Sequence, residues 1–182
     1  MRPVTVRTHI SAPREEVFDL VADMGTRVAW CDHFQGEFRL TRPVTYGQGS
    51  AARWRAEAPF NHGYVESAIV EFDRPRRIFE QLRMGRNNRV PGWAEYVFEP
   101  HTRGVTRVEL TVWTEPQLAV DRLKESFGQR GWTKRRLNTA LDRLRKIFEE
   151  PSSEPLRRAG VAGYEPWKAP RFGGHIRERG AG

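Results

Sequence analysis

The sequence has a single cysteine, Cys31, so an intramolecular disulfide cannot form and a metal site built from several cysteines is excluded. It also has no apolar run near the length of about 18 residues that spans a bilayer. No signal peptide precedes Val4. Together these absences predict a cytoplasmic protein that does not insert stably into a membrane.

Sequence signatures of catalysis are missing as well. The chain has no serine nucleophile elbow, phosphate-binding loop or dinucleotide fingerprint. Its five histidines are scattered, and no two have the spacing that places metal ligands on one helix face. We therefore expect no metal and no cofactor.

Excess positive charge is confined to the C-terminal third of the chain. Residues 1–119 contain 16 Lys/Arg and 15 Asp/Glu, whereas residues 120–150 contain nine and five, and residues 151–182 six and three. Because the main body is nearly neutral, we do not expect a nucleic-acid partner for it. The basic last third is the one region suited to an anionic partner.

Hydrophobic periodicity predicts the order of elements. Val4, Val6 and Ile10 alternate with polar residues, which indicates a strand with one buried face, and Ser11 is a candidate N-cap for a helix that follows. Alternating segments after that helix predict about six further antiparallel strands. A long helix is then predicted over residues 133–149. Its apolar face is formed by Leu137, Leu141, Leu144 and Phe148.

The chain changes character after Glu150. Proline, glycine and arginine continue without hydrophobic periodicity, which predicts one domain over residues 1–150 and a flexible basic tail over residues 151–182. The aromatic residues Tyr164, Trp167 and Phe172 are the expected docking points of this tail.

Several short motifs occur in the order typical of a known superfamily. They are Ile10-Ser11-Ala12-Pro13, Trp30, Gly49-Ser50, Phe72-Asp73-Arg74-Pro75, Tyr96-Val97-Phe98-Glu99, Gly104 to Val108, and Arg136 to Phe148. In this respect the chain resembles the START-like (SRPBCC) superfamily, and within it the polyketide cyclase/dehydrase and lipid-transport group. The resemblance implies an α+β helix-grip fold, in which a curved antiparallel sheet of about seven strands wraps around the long C-terminal helix. It also implies an apolar cavity between sheet and helix.

Strand parity selects the residues expected to face that cavity. Tyr64 and Glu66 share parity with the apolar Phe72 and would supply polar groups, and the long helix would form the opposite wall. The alternative is that all these side chains are ordinary core. The candidate cavity residues are Trp30, Trp54, Tyr64, Glu66, Leu82, Met84, Trp93, Tyr96, Phe98, Leu110, Leu137 and Leu141.

Two parts of this prediction depend on local alternatives. In Arg53-Trp54-Arg55 either Trp54 or the two arginines face inward; we favour Trp54, because a buried guanidinium needs a carboxylate or anionic ligand. The loop from Gly85 to Gly92, with Trp30 and Trp93, falls where the superfamily has its cavity mouth. It is either a gate or an ordinary mobile hairpin.

The leading functional hypothesis is binding of a hydrophobic small molecule, such as a lipid or polyketide-like compound, in this cavity. One alternative is a polyketide cyclase or dehydratase that uses Tyr64, Glu66 or Tyr96. Aromatase members of the superfamily carry an arginine late in the fourth strand, where this sequence has Val70, so the resemblance does not extend to ring cyclisation. The other alternative is a protein or nucleic-acid interaction module that uses the basic C-terminal third.

Overall fold

A computed structural model describes residues 1–58, 61–126, 128–150 and 152–161 of the chain. Within these residues the α-helices are α1 (Arg14–Ala22), α2 (Arg27–Trp30), α3 (Ala119–Ser126) and α4 (Gln129–Glu149), and short 3₁₀ helices cover Met24–Thr26 and Arg86–Asn88. The strands are β1 (Val4–Ile10), β2 (Gln35–Leu40), β3 (Ala51–Ala58), β4 (Asn61–Asp73), β5 (Arg77–Met84), β6 (Val90–Thr102) and β7 (Val105–Thr114).

All seven strands form one antiparallel sheet with the order β1-β7-β6-β5-β4-β3-β2. The first and last strands are neighbours, and the helical segment between β1 and β2 connects the two ends of the sheet. Helix α4 buries Leu137, Leu141 and Leu144, as its periodicity predicts, in the same core as the inner face of the sheet. The helix-grip α+β fold is confirmed.

A β-bulge divides β4 into two parts with opposite parity. The pairing of β4 with β5 shifts between Ile69 and Glu71. Before the shift Val65, Ser67 and Ile69 are buried, whereas after it Phe72 turns inward and packs against Phe18 of α1 with ring centroids 5.1 Å apart. An extra residue at a bulge reverses the faces of the residues beyond it. Parity counted backwards from Phe72 is therefore wrong for the first half of the strand.

Two details of the helices differ from expectation. The N-cap of α1 is Pro13, with no side-chain cap, and Ser11 instead donates its backbone N–H to Glu149 Oε1 at 3.0 Å. The final helix begins at Gln129, earlier than the predicted residue 133, and therefore includes Gly131. Its N-cap is Gly128, which has a φ of +71°. Glycine adopts this left-handed conformation without the steric cost that a Cβ brings.

Residues 157–161 of the C-terminal segment contact the rest of the domain. Leu40 of β2 donates its N–H to the carbonyl of Gly160 at 3.0 Å, and Val161 forms a parallel bridge with Leu40. Arg157 and Arg158 form ion pairs with Asp32 and Asp23. Tyr164, Trp167 and Phe172 lie outside the described residues, and the division of the chain near residue 150 stays a prediction. None of the described helices has both the length and the apolar character needed to cross a bilayer.

Candidate functional site

A cavity of about 100 Å³ lies between the inner face of the sheet and helices α2 and α4. At one end its lining residues Trp30, Tyr96 and Leu110 are almost completely buried. We call the other end the mouth, where Met84, Gly85, Gln129, Trp132 and Thr133 line the cavity and are partly exposed. Most of the remaining wall is apolar and comes from Phe34, Trp54, Ala56, Ala58, Val65, Leu82, Ala94, Val112, Leu137 and Ala140.

One buried polar cluster interrupts this apolar wall. Arg27 at the start of α2 and Glu80 on β5 are 3% and 1% exposed, and Arg27 Nη2 lies 2.5 Å from Glu80 Oε1. Arg27 Nη1 donates to the hydroxyl of Tyr96 at 2.8 Å. The guanidinium also lies over the Trp30 ring, with 4.9 Å between Arg27 Cζ and the ring centroid. We call these four residues the polar cluster.

The environment fixes the protonation states in this cluster. Burial acts to lower the pKa of Arg27, but Glu80, Tyr96 and Cys31 together more than offset this effect, and the pKa lies above its usual value. Burial raises the pKa of Tyr96 well above its usual value, and it also raises the pKa of the neighbouring Cys31 thiol. At neutral pH the guanidinium is therefore charged, whereas the phenol and the thiol are neutral.

Some polar atoms of the residues that line the cavity have no hydrogen-bond partner among the described residues. Arg27 Nε and Trp30 Nε1 are buried N–H donors without a partner among the described residues, and Gln35 Oε1 is an acceptor in the same situation. All three residues line the cavity. Since nearly all buried polar groups in proteins are hydrogen-bonded, donors of this kind are suited to a bound molecule.

Comparison with known proteins identifies the family. The model of the family described as "Polyketide cyclase / dehydrase and lipid transport" matches residues 1–149. The chain belongs to this family. No curated protein sequence matches it.

Solved structures show that the START-like fold of this family extends over the described domain. A protein from Thermus thermophilus superposes with a TM-score of 0.62 at 18% identity, covering 83% of this chain and 99% of the other. A START superfamily protein from Mycobacterium smegmatis gives 0.59 at 14% identity, covering 81% and 97%. Truncated norcoclaurine synthase from Thalictrum flavum gives 0.62 at 10% identity, covering 83% and 95%.

The structure brings together eight of the twelve candidate residues of this START-like domain. Trp54 is buried and faces inward, whereas Arg53 and Arg55 are exposed, as predicted. Trp30 lies at the buried end rather than at the mouth, and Gly85 is the part of the predicted gate loop that lines the cavity. The eight are Trp30, Trp54, Tyr64, Leu82, Met84, Tyr96, Leu110 and Leu137.

The two polar candidates on β4 do not offer their polar groups to the cavity, because they precede the bulge. Tyr64 borders the cavity, but it is 42% exposed and its hydroxyl donates to Glu37 Oε2 at 2.6 Å. Glu66 is exposed on the outer face, opposite Arg53 and Arg83 of the neighbouring strands. The expectation that Glu66 lines the cavity is wrong.

Three other candidates lie outside the cavity lining. Trp93 is on the outer face of the sheet, because the alternation of β6 turns Val90 and Ala94 inward. There it stacks on Trp113 with ring centroids 5.7 Å apart. Phe98 faces inward but packs edge-on against Phe18 of α1 in the solid core. Leu141 is buried one helical turn beyond Leu137, past the end of the cavity.

Arg27 and Glu80 are the charged residues of the cavity lining that the sequence interpretation missed. Glu80 shares the inward parity of Ile78 and Leu82 on β5, so it places a charged residue within an apolar alternation. A carboxylate at an inward position requires a buried partner, and that requirement was the available signal. The partner, Arg27, comes from a short helix 53 residues earlier in the chain.

Proposed function

We propose that this START-like domain binds a hydrophobic small molecule in the cavity between its sheet and α4. The observation that supports this proposal is an apolar cavity whose lining contains one buried polar cluster. Ligand sites commonly combine apolar walls with a few placed polar groups. Burial of apolar ligand surface, at about 25 cal/mol per Å², would supply the affinity, and the polar cluster would orient the ligand.

The size of the cavity limits what it holds in this conformation. About 100 Å³ is less than the roughly 300–1,000 Å³ of sites for drug-sized ligands. An apolar cavity of about 150 Å³ in another protein binds benzene. A small ring or short chain therefore fits, and a lipid or polyketide would require Trp132 and the other mouth residues to move outward.

A catalytic role has weaker support. Of the three residues expected to act in a cyclase or dehydratase, Tyr64 and Glu66 place their polar groups outside the cavity, so Tyr96 alone remains. Burial keeps the Tyr96 phenol protonated, and such a phenol can donate a hydrogen bond but is not a general base at neutral pH. We therefore propose binding and do not propose turnover.

Filling the cavity should abolish binding. Ala140 is fully buried on α4 and lines the cavity, so Ala140→Leu places three further carbons in the space that a ligand would occupy. We expect the wild-type protein to carry a stoichiometric hydrophobic adduct in native mass spectrometry, identified after organic extraction. The Ala140→Leu protein should carry none.

The control for this experiment is Thr139→Leu, which makes a similar change on the exposed face of the same helix. It should leave the adduct unchanged. Loss of the adduct in both variants, or in neither, would show that the bound molecule occupies another site. A wild-type protein that neither carries an adduct nor takes up small hydrophobic compounds would contradict the proposed function.

A further inference from the structure

The buried end of the cavity has donors in excess of acceptors. The guanidinium of Arg27 uses its two terminal nitrogens on Glu80 and Tyr96, which leaves Nε–H without a partner among the described residues. The indole N–H of the adjacent Trp30, a residue with 0% exposure, is in the same situation. The Tyr96 hydroxyl accepts a hydrogen bond from Arg27, so its own proton is available to another acceptor.

The charge at this end is already balanced. Glu80 pairs with Arg27 at 2.5 Å, and both side chains are more than nine-tenths buried. A ligand carboxylate or phosphate would bring a second negative charge next to Glu80 into a site that is almost completely buried, where an unpaired charge is costly. A ligand ammonium would bring a second positive charge next to Arg27, and the unpartnered N–H groups of Arg27 and Trp30 cannot accept a hydrogen bond from it. The group that matches the site is therefore a neutral acceptor.

We infer that the ligand is an apolar molecule with one neutral oxygen acceptor, a carbonyl, ether or hydroxyl oxygen, which lies at the buried end and accepts hydrogen bonds from Arg27 Nε and Trp30 Nε1. This inference rests on the proposed function and adds the chemical class and orientation of the ligand. The hydrocarbon part extends along Leu82, Leu110 and Leu137 toward the mouth. If the oxygen is a hydroxyl, Gln35 is the cavity residue whose unpartnered oxygen can accept its proton.

The test compares two probes of one shape. Cyclohexanone and methylenecyclohexane differ by an oxygen in place of a CH₂ group, and both have a ring of the size that the cavity accommodates. Two-dimensional ¹H–¹⁵N NMR detects the indole N–H of Trp30 and the Nε–H of Arg27 directly, and Trp30→Phe assigns the indole signal. Cyclohexanone should move both N–H resonances downfield in the wild-type protein, whereas methylenecyclohexane should bind without that shift.

The variant Trp30→Phe keeps an aromatic ring and removes one donor. It should weaken cyclohexanone binding about fivefold, the effect of one net hydrogen bond, and change methylenecyclohexane binding less than about twofold. Trp113→Phe makes the same change on the outer face and should alter neither affinity. Cyclohexanecarboxylate should not bind in the concentration range in which cyclohexanone does.

The outcomes separate this inference from the proposed function. If both probes bind but cyclohexanone leaves the two N–H resonances unshifted and Trp30→Phe weakens both probes equally, the cavity binds apolar molecules without the proposed polar contact. If cyclohexanecarboxylate binds more tightly than cyclohexanone, the acceptor is anionic and the inference is wrong. If neither neutral probe enters the cavity, the proposed function fails together with the inference.

Discussion

Arg27 and Glu80 carry charge into the interior of the molecule, and each depends on the other. Desolvation of a buried ion costs several kcal/mol, so the pair is retained only with close contact and further hydrogen bonds. The 2.5 Å contact, the hydrogen bond to Tyr96 and the Trp30 ring over the guanidinium meet that requirement. Removal of one partner would leave the other charge buried without compensation.

We therefore expect Glu80→Gln to lower the free energy of unfolding by about 3–5 kcal/mol, measured by urea denaturation. The matched control is Glu71→Gln, which removes an exposed carboxylate that also lies 2.5 Å from an arginine, Arg77. Exposed pairs contribute about 0–1 kcal/mol, so the control should be close to wild type. Equal losses in the two variants would contradict a special cost of the buried charge.

At the scale of elements, the segment over residues 157–161 covers the edge strand β2. An exposed edge presents unpaired backbone groups, and this segment satisfies one of them through the hydrogen bond from Leu40 to Gly160. A second backbone bond, from Ala159 N–H to the carbonyl of Gly25 at 2.8 Å, anchors the segment beside the 3₁₀ helix. The two arginine–aspartate pairs at Arg157 and Arg158 are exposed and add little by comparison.

Ala159→Pro should loosen this attachment, because proline has no N–H to donate to Gly25. The loss of one net hydrogen bond, about 1 kcal/mol, predicts about fivefold faster hydrogen exchange at the Leu40 amide. Leu156→Pro is the control, since no backbone hydrogen bond from Leu156 occurs in the described part of the chain. Exchange at Leu40 that is identical in the two variants would show that the segment does not protect β2.

For the molecule as a whole, the distribution of charge and the apolar cavity both support the proposed small-molecule ligand over an anionic polymer. In and after α4, acidic residues pair with Arg143, Arg145, Arg157 and Arg158. Such pairing reduces the basic surface available to an anionic polymer. The interaction-module alternative, which depends on the basic C-terminal third, includes residues 162–182 outside the described structure and stays a prediction.

A ligand in the cavity should stabilise the whole fold, because it binds the native state and its site does not exist in the unfolded chain. At about 100 times its dissociation constant, the ligand should raise the free energy of unfolding by about 2.7 kcal/mol. Thermal unfolding of the wild-type protein with and without the extracted ligand measures this effect. The Ala140→Leu protein should show no such increase, and an equal increase in that variant would mean that the ligand binds elsewhere.

The amino-acid sequence alone was sufficient to predict the features that depend on neighbouring residues. The alternation in β3, β5 and β7 identified inward side chains such as Trp54, Leu82 and Leu110, and the helical period identified Leu137. These predictions succeeded because side-chain direction in a regular strand or helix follows from the backbone geometry within that element. The order of the elements, together with the motifs, was sufficient for the helix-grip fold.

Tertiary structure decided the features that depend on interruptions and on distant contacts. The bulge in β4 turned Glu66 outward, since strand parity holds only as far as the ladder is regular. Packing decided that Phe98 and Leu141 fill the core while Leu137 borders a cavity, because a void is a property of all the surrounding side chains together. The pairing of Arg27 with Glu80 joins residues 53 positions apart, and only the closed fold brings their charges into contact.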